Sequence, residues 1–310
     1  MKIAILSFYS GLADRGVETW AQSVKEKVKS YDIQILGGEK YENNIDLDNK
    51  HYIYWQFLIL RHAISTLLVW IRYDIVVPTN GTVQTLICRV VTFFYGKKMI
   101  VFGHSGPGAD DKFNLLCSPN VFVAFSSSQA DWVNKYKLPW TKVVVIPHAV
   151  DTSFFKPAKR KVEENVVLCV AANIPDKRVG LVREAVERIT DARFMAVGSG
   201  NKFRYPHSKM PEVYQRAKVF CFVPKSHEAF GLVFLEAMAS NLPIVTIDDP
   251  VRREIVGEAG VFVADPQNVI KLVEGIKFAL KRNWGNIPRR QAEWFSWVNV
   301  SSKYEELFKS

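Results

Sequence analysis

Glu228 and Glu236 stand eight residues apart, one on each side of Phe230-Gly231-Leu232. The residues around them read strand, loop, helix, strand: Val219 to Val223 is an apolar run, Leu232 to Ser240 a helical pattern, and Ile244 to Ile247 β-branched. The helix is apolar nearly all round, as befits one packed on a sheet, and Glu236 is its single charge, so this carboxylate needs a partner. Asn241 suits the left-handed residue that ends a helix, and Pro243 prevents further winding. Free backbone N–H groups around Phe230, Gly231 and Leu232 add to the positive end of the helix dipole and make an anion site. Gly231 lets a ligand approach the backbone. Glu236 lies roughly 7 Å further along the axis at about 1.5 Å per residue, near the separation between a nucleotide's phosphates and its ribose hydroxyls. Glu228 lies on the other side of the phosphate position, where a sugar on the terminal phosphate would sit.

The stretch Glu228-Ala229-Phe230-Gly231-Leu232-Val233-Phe234-Leu235-Glu236-Ala237-Met238-Ala239 resembles the Glu-Gly-Phe-Gly-Leu-x-x-x-Glu-Ala-Met-Ala pattern of the retaining glycosyltransferases of family 4, the glycosyl transferases group 1. Two glutamates at this spacing are common in helical proteins; the whole match carries the resemblance. Val143 to Phe154 is similar to the interdomain Val-Ile-Pro-Asn-Gly-Val-Asp-x-x-x-Phe of the family, with His148 and Ala149 in place of Asn and Gly. Val197-Gly198-Ser199-Gly200 matches its Val-Gly-x-Gly turn. The loop Tyr9 to Glu18 resembles the family's first glycine loop, with Gly16 and Glu18 kept and Arg15 in place of a glycine, although a plain tight turn explains it equally well.

This resemblance implies a GT-B fold: an α/β chain of two Rossmann-like parallel-sheet domains facing a central cleft. Residues 1–150 form the acceptor side and residues 151–293 the nucleotide-sugar side, and a C-terminal helix in 294–310 crosses back to the first domain. The implied reaction moves a hexosyl group from a nucleoside-diphosphate sugar to an acceptor, a glycan, lipid-linked or small molecule, with retention of configuration. His104, delivered by the strand Lys98 to Phe102, would contact the donor sugar; a histidine that merely caps its loop is the competing reading. Lys177 would hold the diphosphate, Glu228 the sugar, Glu236 the ribose, and Gly16, Ser199, Gly200, Phe230, Gly231 and Leu232 would line the donor. Family members carry an arginine five residues before the phosphate-binding lysine, and Ala172 stands there. Arg15 or Arg178 would compensate, Arg15 being favoured because its loop faces the phosphates. No metal and no cofactor is expected, since the scheme requires none and Asp248-Asp249 before Pro250 reads as a turn.

The elements that must position these residues follow in order. Ile3 to Phe8 is a strand, the pattern to about Ser30 a helix, Tyr31 to Leu36 a second strand and Gly37 to Lys50 a polar connection. Trp55 to Ile71 is a 17-residue apolar run with Arg61 and His62 at its middle, which makes spanning a membrane costly. It is expected as a core helix or as a helix on a membrane surface. Strands are expected at 74–77, 98–102 and 121–126, helices at 83–95 and from Gln129, and a second half of the same kind opens at Val166. The tail from Trp294 to Phe308 is expected as the last helix.

A length of 310 residues suits two domains, and 48% hydrophobic with 13% aromatic residues excludes disorder. Forty-one basic against 31 acidic residues give +10 and favour anionic partners, including an anionic membrane surface. Nucleic acid is excluded as a partner: there is no zinc pattern, no aromatic RNA-binding signature and no block of like charge. Four widely spaced cysteines, Cys88, Cys117, Cys169 and Cys221, suit a reducing cytoplasm, with peripheral attachment to the inner face of the membrane. Met1 to Leu6 reads as a strand rather than a leader. Outside transferase chemistry, a non-catalytic sugar-nucleotide-binding protein, a sugar-nucleotide epimerase and a membrane-surface scaffold remain open.

Overall fold

The computed structural model describes residues 1–12, 16–38, 52–159, 164–225 and 228–309. The chain forms two compact units, Met1–Pro147 with Ser301–Ser310, and His148–Val300. Arg15 and residues 39–50 of the expected polar connection lie outside the described residues.

The first unit is built on a six-stranded sheet of β1 (Lys2–Leu6), β2 (Asp32–Leu36), β3 (Ile75–Pro78), β4 (Lys98–Phe102), β5 (Val121–Ala124) and β6 (Lys142–Val145). All pairings are parallel, in the order β2-β1-β3-β4-β5-β6. Its helices are α1 (Gly16–Lys27), α2 (Tyr52–Ser65), α3 (Leu67–Trp70), α4 (Thr82–Phe94), α5 (Ala109–Leu116) and α6 (Ser127–Tyr136). Every residue of β3 and β5 is buried, which explains their unbroken apolar sequences: in a parallel sheet covered by helices there is no wet face for a polar residue to occupy.

The second unit has a five-stranded parallel sheet of β7 (Asn165–Val170), β8 (Ala192–Val197), β9 (Val219–Cys221), β10 (Ile244–Ile247) and β11 (Gly260–Val263), in the order β11-β10-β9-β7-β8. Around it run α7 (Val179–Glu187), α8 (Met210–Tyr214), α9 (Leu232–Ala239), α10 (Pro250–Val256), α11 (Val269–Lys281) and α12 (Ile287–Trp294). The last helix, α13 (Trp297–Lys309), begins in the second unit and from Ser301 belongs to the first. In both sheets the chain reverses its direction of growth beside the first strand: β1 lies between β2 and β3, and β7 between β8 and β9. Loops leaving the carboxyl ends of strands on either side of such a reversal diverge and open a crevice, where α/β proteins bind ligands.

Two elements differ from expectation. The apolar run Trp55 to Ile71 divides at Thr66, whose hydroxyl donates to His62 O at 2.7 Å and whose backbone leaves helical geometry at ψ 0°. That side-chain bond competes with the helix ladder. His62, expected to hinder membrane insertion, is buried with Nε2 2.9 Å from Gly37 O. The tail is the expected last helix with a later start, at Trp297: Trp294 ends α12, and Phe295-Ser296 leaves the helix to form a parallel bridge with Val150, where Phe295 O accepts from Val150 N at 2.8 Å.

Candidate functional site

The start of α9 is set by Gly231, which has φ 88° and would place a Cβ 2.7 Å from the Phe234 ring. Only glycine accepts both conditions. No side chain caps α9, so the amides of its first turn, which have no partner within the helix, keep their donors for a ligand. Just upstream, Glu228 forms an ion pair with Lys177. Lys177 ends a short 3-10 turn, Pro175–Lys177, in the loop that leaves β7, whereas Glu228 is in the loop that leaves β9. These strands flank the reversal of the sheet, and a second pair, Lys225 with Asp176 at 2.8 Å, clips the same two loops together.

Arg252 fixes the main chain at this point. Its side chain is fully buried, Nη1 donates to Glu228 O at 2.8 Å, and Nε donates to Asp249 Oδ2 at 3.0 Å. Asp249 also accepts from Arg252 N at 2.8 Å and so caps α10. A buried guanidinium needs such partners, and here they immobilise the Glu228 backbone. Asp248 pairs with Arg253. The Asp248-Asp249 turn is therefore spent on structure, and among the described residues no three His, Cys, Asp or Glu side chains converge as metal ligands do.

Glu236, on the second turn of α9, is buried and has the partners that its position demands. Tyr214 Oη donates to Oε2 at 2.6 Å and His207 Nε2 lies 3.3 Å from Oε1. Burial, and then the Glu236 charge, hold the Tyr214 phenol well above its ordinary pKa, so it stays a donor. A carboxylate offers about four lone-pair sites, and two remain for vicinal hydroxyls. His207 is itself stacked on Phe154 with ring centroids 5.6 Å apart. Neither Tyr214 nor His207 was marked by a motif: they come from α8 and the turn before it, and only their packing against α9 reveals them.

Beside this, Gly198 has φ 135° and a Cβ there would sit 2.4 Å from Ala171 O. The turn it permits docks on the end of β7: Asn173 N donates to Ser199 O at 2.8 Å and Asn173 Nδ2 to Gly200 O at 3.3 Å. Arg178 caps α7 in the left-handed conformation, φ 50° and ψ 35°, a strain unusual for a residue with a side chain. Lys177, Arg178, Ser199, Gly200, Glu228, Phe230, Gly231, Leu232 and Glu236 thus all stand on elements at the carboxyl ends of β7, β8 and β9.

Gly16 and His104 belong to the first unit. Gly16 is the exposed first residue of α1, and His104 follows β4 in an aromatic cage, with ring centroids 4.7 Å from Trp20, 5.0 Å from Phe125 and 6.1 Å from Phe102. Burial pushes the His104 pKa down to about 3, so the imidazole is neutral. Trp20 Nε1 in turn donates to Tyr304 Oη on α13 at 2.8 Å, so the last helix braces the cage. Gln129 stitches the loop below: its Nε2 donates to Gly103 O at 2.7 Å and its Oε1 accepts from Phe125 N at 2.8 Å. Asp111, buried next to Gln129 and Asn114, has its carboxyl pushed by burial up to about 7.

Residues 202–293, which include Glu228, Gly231 and Glu236, match the family Glycosyl transferases group 1. The match takes in less than a third of the chain. The chain is 24% identical over 222 residues to the MMP alpha-(1->4)-mannosyltransferase of Mycolicibacterium hassiacum, covering 62% of this chain and 54% of the relative. It is 34% identical over 109 residues to the O-antigen chain mannosyltransferase B of Escherichia coli, covering 34% of this chain and 28% of the relative. The chain therefore spans about half the length of the first of these curated relatives and less of the second. Among solved structures it is similar to the sucrose-phosphate synthase of Thermosynechococcus elongatus, with TM-score 0.78, 15% identity and coverage of 99% and 98% of the two chains. Anabaena HepE, in a complex with UDP and glucose, gives TM-score 0.77 at 14% identity over 100% of both chains. With two parallel-sheet Rossmann-like units and these neighbours, the chain has a GT-B fold.

Proposed function

We propose that the chain is a retaining glycosyltransferase that moves a hexosyl group from a nucleoside-diphosphate sugar to an acceptor hydroxyl. The observation that carries this reading is the grouping of Lys177, Glu228, the uncapped start of α9 and Glu236 where the second sheet reverses its strand order. The names of the relatives, mannosyltransferases, and the UDP and glucose of the HepE complex support the substrate class. In the reaction the bond from the anomeric carbon to the diphosphate breaks and its electron pair leaves on the phosphate oxygen. The acceptor hydroxyl forms the new bond on the same face and gives up its proton to the leaving phosphate oxygen.

The diphosphate lies at the α9 amides of Gly231 and Leu232, with Phe230 beside them, and Lys177 offsets the charge that builds on the leaving oxygen. Lys177 is already paired with Glu228, so the phosphate shares or takes that partner, and the carboxylate is released towards the sugar. Glu236 accepts from the ribose hydroxyls with the lone pairs that Tyr214 and His207 leave. Arg178, Ser199 and Gly200 complete the donor's surroundings within the second unit, while the roles of His104, Gly16 and Arg15 rest on the family resemblance alone. The scheme uses no metal ion, so turnover is expected to survive EDTA. A cytoplasmic setting rests on four cysteines that are all free and buried.

Turnover of a sugar nucleotide only when an acceptor is present, with the anomeric configuration of the product read by NMR, tests the reading. Turnover without acceptor would mark an epimerase, and tight binding without turnover a non-catalytic module. For the ribose contact, Glu236→Ala is expected to lose about 2 to 4 kcal/mol of nucleoside diphosphate affinity by calorimetry, the scale of two charge-assisted hydrogen bonds. Equal affinity of the variant and the parent chain would remove Glu236 from the donor site.

A further inference from the structure

The outer faces of α2, α3 and α4 have a pattern that sugar transfer does not explain. Along α2 and α3 the exposed residues are Tyr52, Ile53, Phe57, Arg61, Ile64, Ser65, Leu68 and Val69, and within α2 Ile53, Phe57, Arg61 and Ile64 follow one another at the spacing of a single helix stripe. Along α4 they are Leu86, Val90, Phe93 and Phe94, at the same kind of spacing. Exposure reaches 80% at Ile53, 77% at Leu68 and 78% at Phe94, on helices whose opposite faces already fill the core. α2 packs on α4, so the two stripes belong to neighbouring helices. Single exposed apolar residues need no explanation, but two adjacent stripes of large ones mark an interaction surface.

Its charge identifies the occupant. From residue 52 to residue 98 there are five basic residues, Arg61, Arg72, Arg89, Lys97 and Lys98, against one acidic residue, Asp74, a net charge of +4. Arg61 lies within the first stripe, and the Arg89 guanidinium lies over the Phe93 ring at 5.7 Å in the second. Just past the end of α4, Gly96, Lys97, Lys98, Asn120, Val121 and Lys142 line a groove. Lys98 there is held below its ordinary pKa, first by burial and then by Lys142, and an anion in the groove would offset the repulsion between the two lysines. Large apolar side chains flanked by cations, with a cationic groove at one end, complement an interface of acyl chains and anionic headgroups. No helix among the described residues is long and apolar enough to cross a membrane.

We infer that the α2, α3 and α4 face of the first unit docks on an anionic lipid bilayer, with Ile53, Phe57, Leu68, Phe93 and Phe94 entering the headgroup boundary and Arg61, Arg89 and the lysine groove binding lipid phosphates. This assignment is independent of the transferase reading, because every residue it uses is in the first unit and none belongs to the donor site.

The test is sedimentation of the chain with vesicles of phosphatidylcholine alone and of equal parts phosphatidylcholine and phosphatidylglycerol. Binding is expected to the mixed vesicles only and to fall steeply with salt, since exposed charges are screened within about 8 Å at physiological ionic strength. Phe94→Ser and Leu68→Ser are each expected to lower the vesicle partition roughly tenfold, the worth of one large inserted side chain. Arg61→Gln with Arg89→Gln is expected to abolish the preference for phosphatidylglycerol. A circular dichroism spectrum and thermal midpoint like those of the parent chain show that the variants fold. Absence of binding to mixed vesicles at low salt would overturn the inference. So would partition that is indifferent to these variants, or a dimer in solution that Phe94→Ser dissociates, which would mean that a second copy covers this face.

Discussion

His104 is the residue on which the two readings of the sequence diverge most sharply in measurable terms. The cage of Trp20, Phe102 and Phe125 removes it from water, and desolvation disfavours the charged ring. Its pKa lies at about 3, lowered from 6.5, so the proton is lost well below neutral pH. His104→Ala is expected to slow turnover roughly a hundredfold, which is the loss of about 3 kcal/mol at the transition state. Nucleoside diphosphate affinity should stay at the parent value, and no limb near pH 6.5 in the pH profile of the parent chain should belong to His104. A loss confined to nucleotide affinity would instead make it a loop residue. The position of His104 after a strand was legible in the sequence. Its neutrality was not, because Trp20 and Phe125 approach it only in the folded unit, and Tyr304, which braces Trp20, is 284 residues from it. In the same way the need of Glu236 for a partner was legible, whereas the partners Tyr214 and His207 were not. Nor was Arg252, whose i, i+3 relation to Asp249 was the only trace it left.

At the scale of elements, α9 was readable almost to the residue, because each of its boundaries has a local chemical cause. Gly231 opens it and Asn241, at φ 62°, stands in the left-handed conformation after its end. The demand on Gly231 is quantitative. A Cβ would meet the Phe234 ring at 2.7 Å in a backbone conformation that costs other residues about 1 to 2 kcal/mol. Gly231→Ala is therefore expected to destabilise the second unit by at least that amount in denaturant unfolding and to weaken nucleotide binding, because relieving the clash turns the first amides of α9. An unchanged midpoint would show that Phe234 moves aside at no cost. The elements that were misread failed for nonlocal or competing reasons. Thr66 breaks an apolar run that periodicity alone continues, and Ser296 leaves its helix for Val150, a partner 146 positions away in the chain.

For the whole molecule, two parallel sheets followed from two runs of apolar strands alternating with helices, but the strand order that gathers Lys177, Glu228 and Glu236 had no signature in the sequence. The stability of the molecule also depends on a group that no motif marked. Burial raises the Asp111 pKa from 3.8 to about 7, so the folded chain binds its proton more tightly than the unfolded chain does. The stability this contributes is fully present below pH 3.8 and is lost as pH rises to about 7, a decline of about 4 kcal/mol at 1.36 kcal/mol per pH unit. Asp111→Asn is expected to flatten the dependence of unfolding free energy on pH between 4 and 7 and to be more stable than the parent chain at pH 8. Parallel curves for the two proteins would place the dependence elsewhere.

Helix α13 has a consequence for synthesis. Tyr304, Leu307 and Phe308 are core residues of a unit whose first 147 residues are made long before these three. Until then Trp20 lacks the hydroxyl it donates to and Phe102 the ring it stacks on, so the first half of the chain waits, incompletely packed, through the translation of the second. An early stop codon just before α13 would thus injure the amino-terminal unit, the one made first, by removing its last stave.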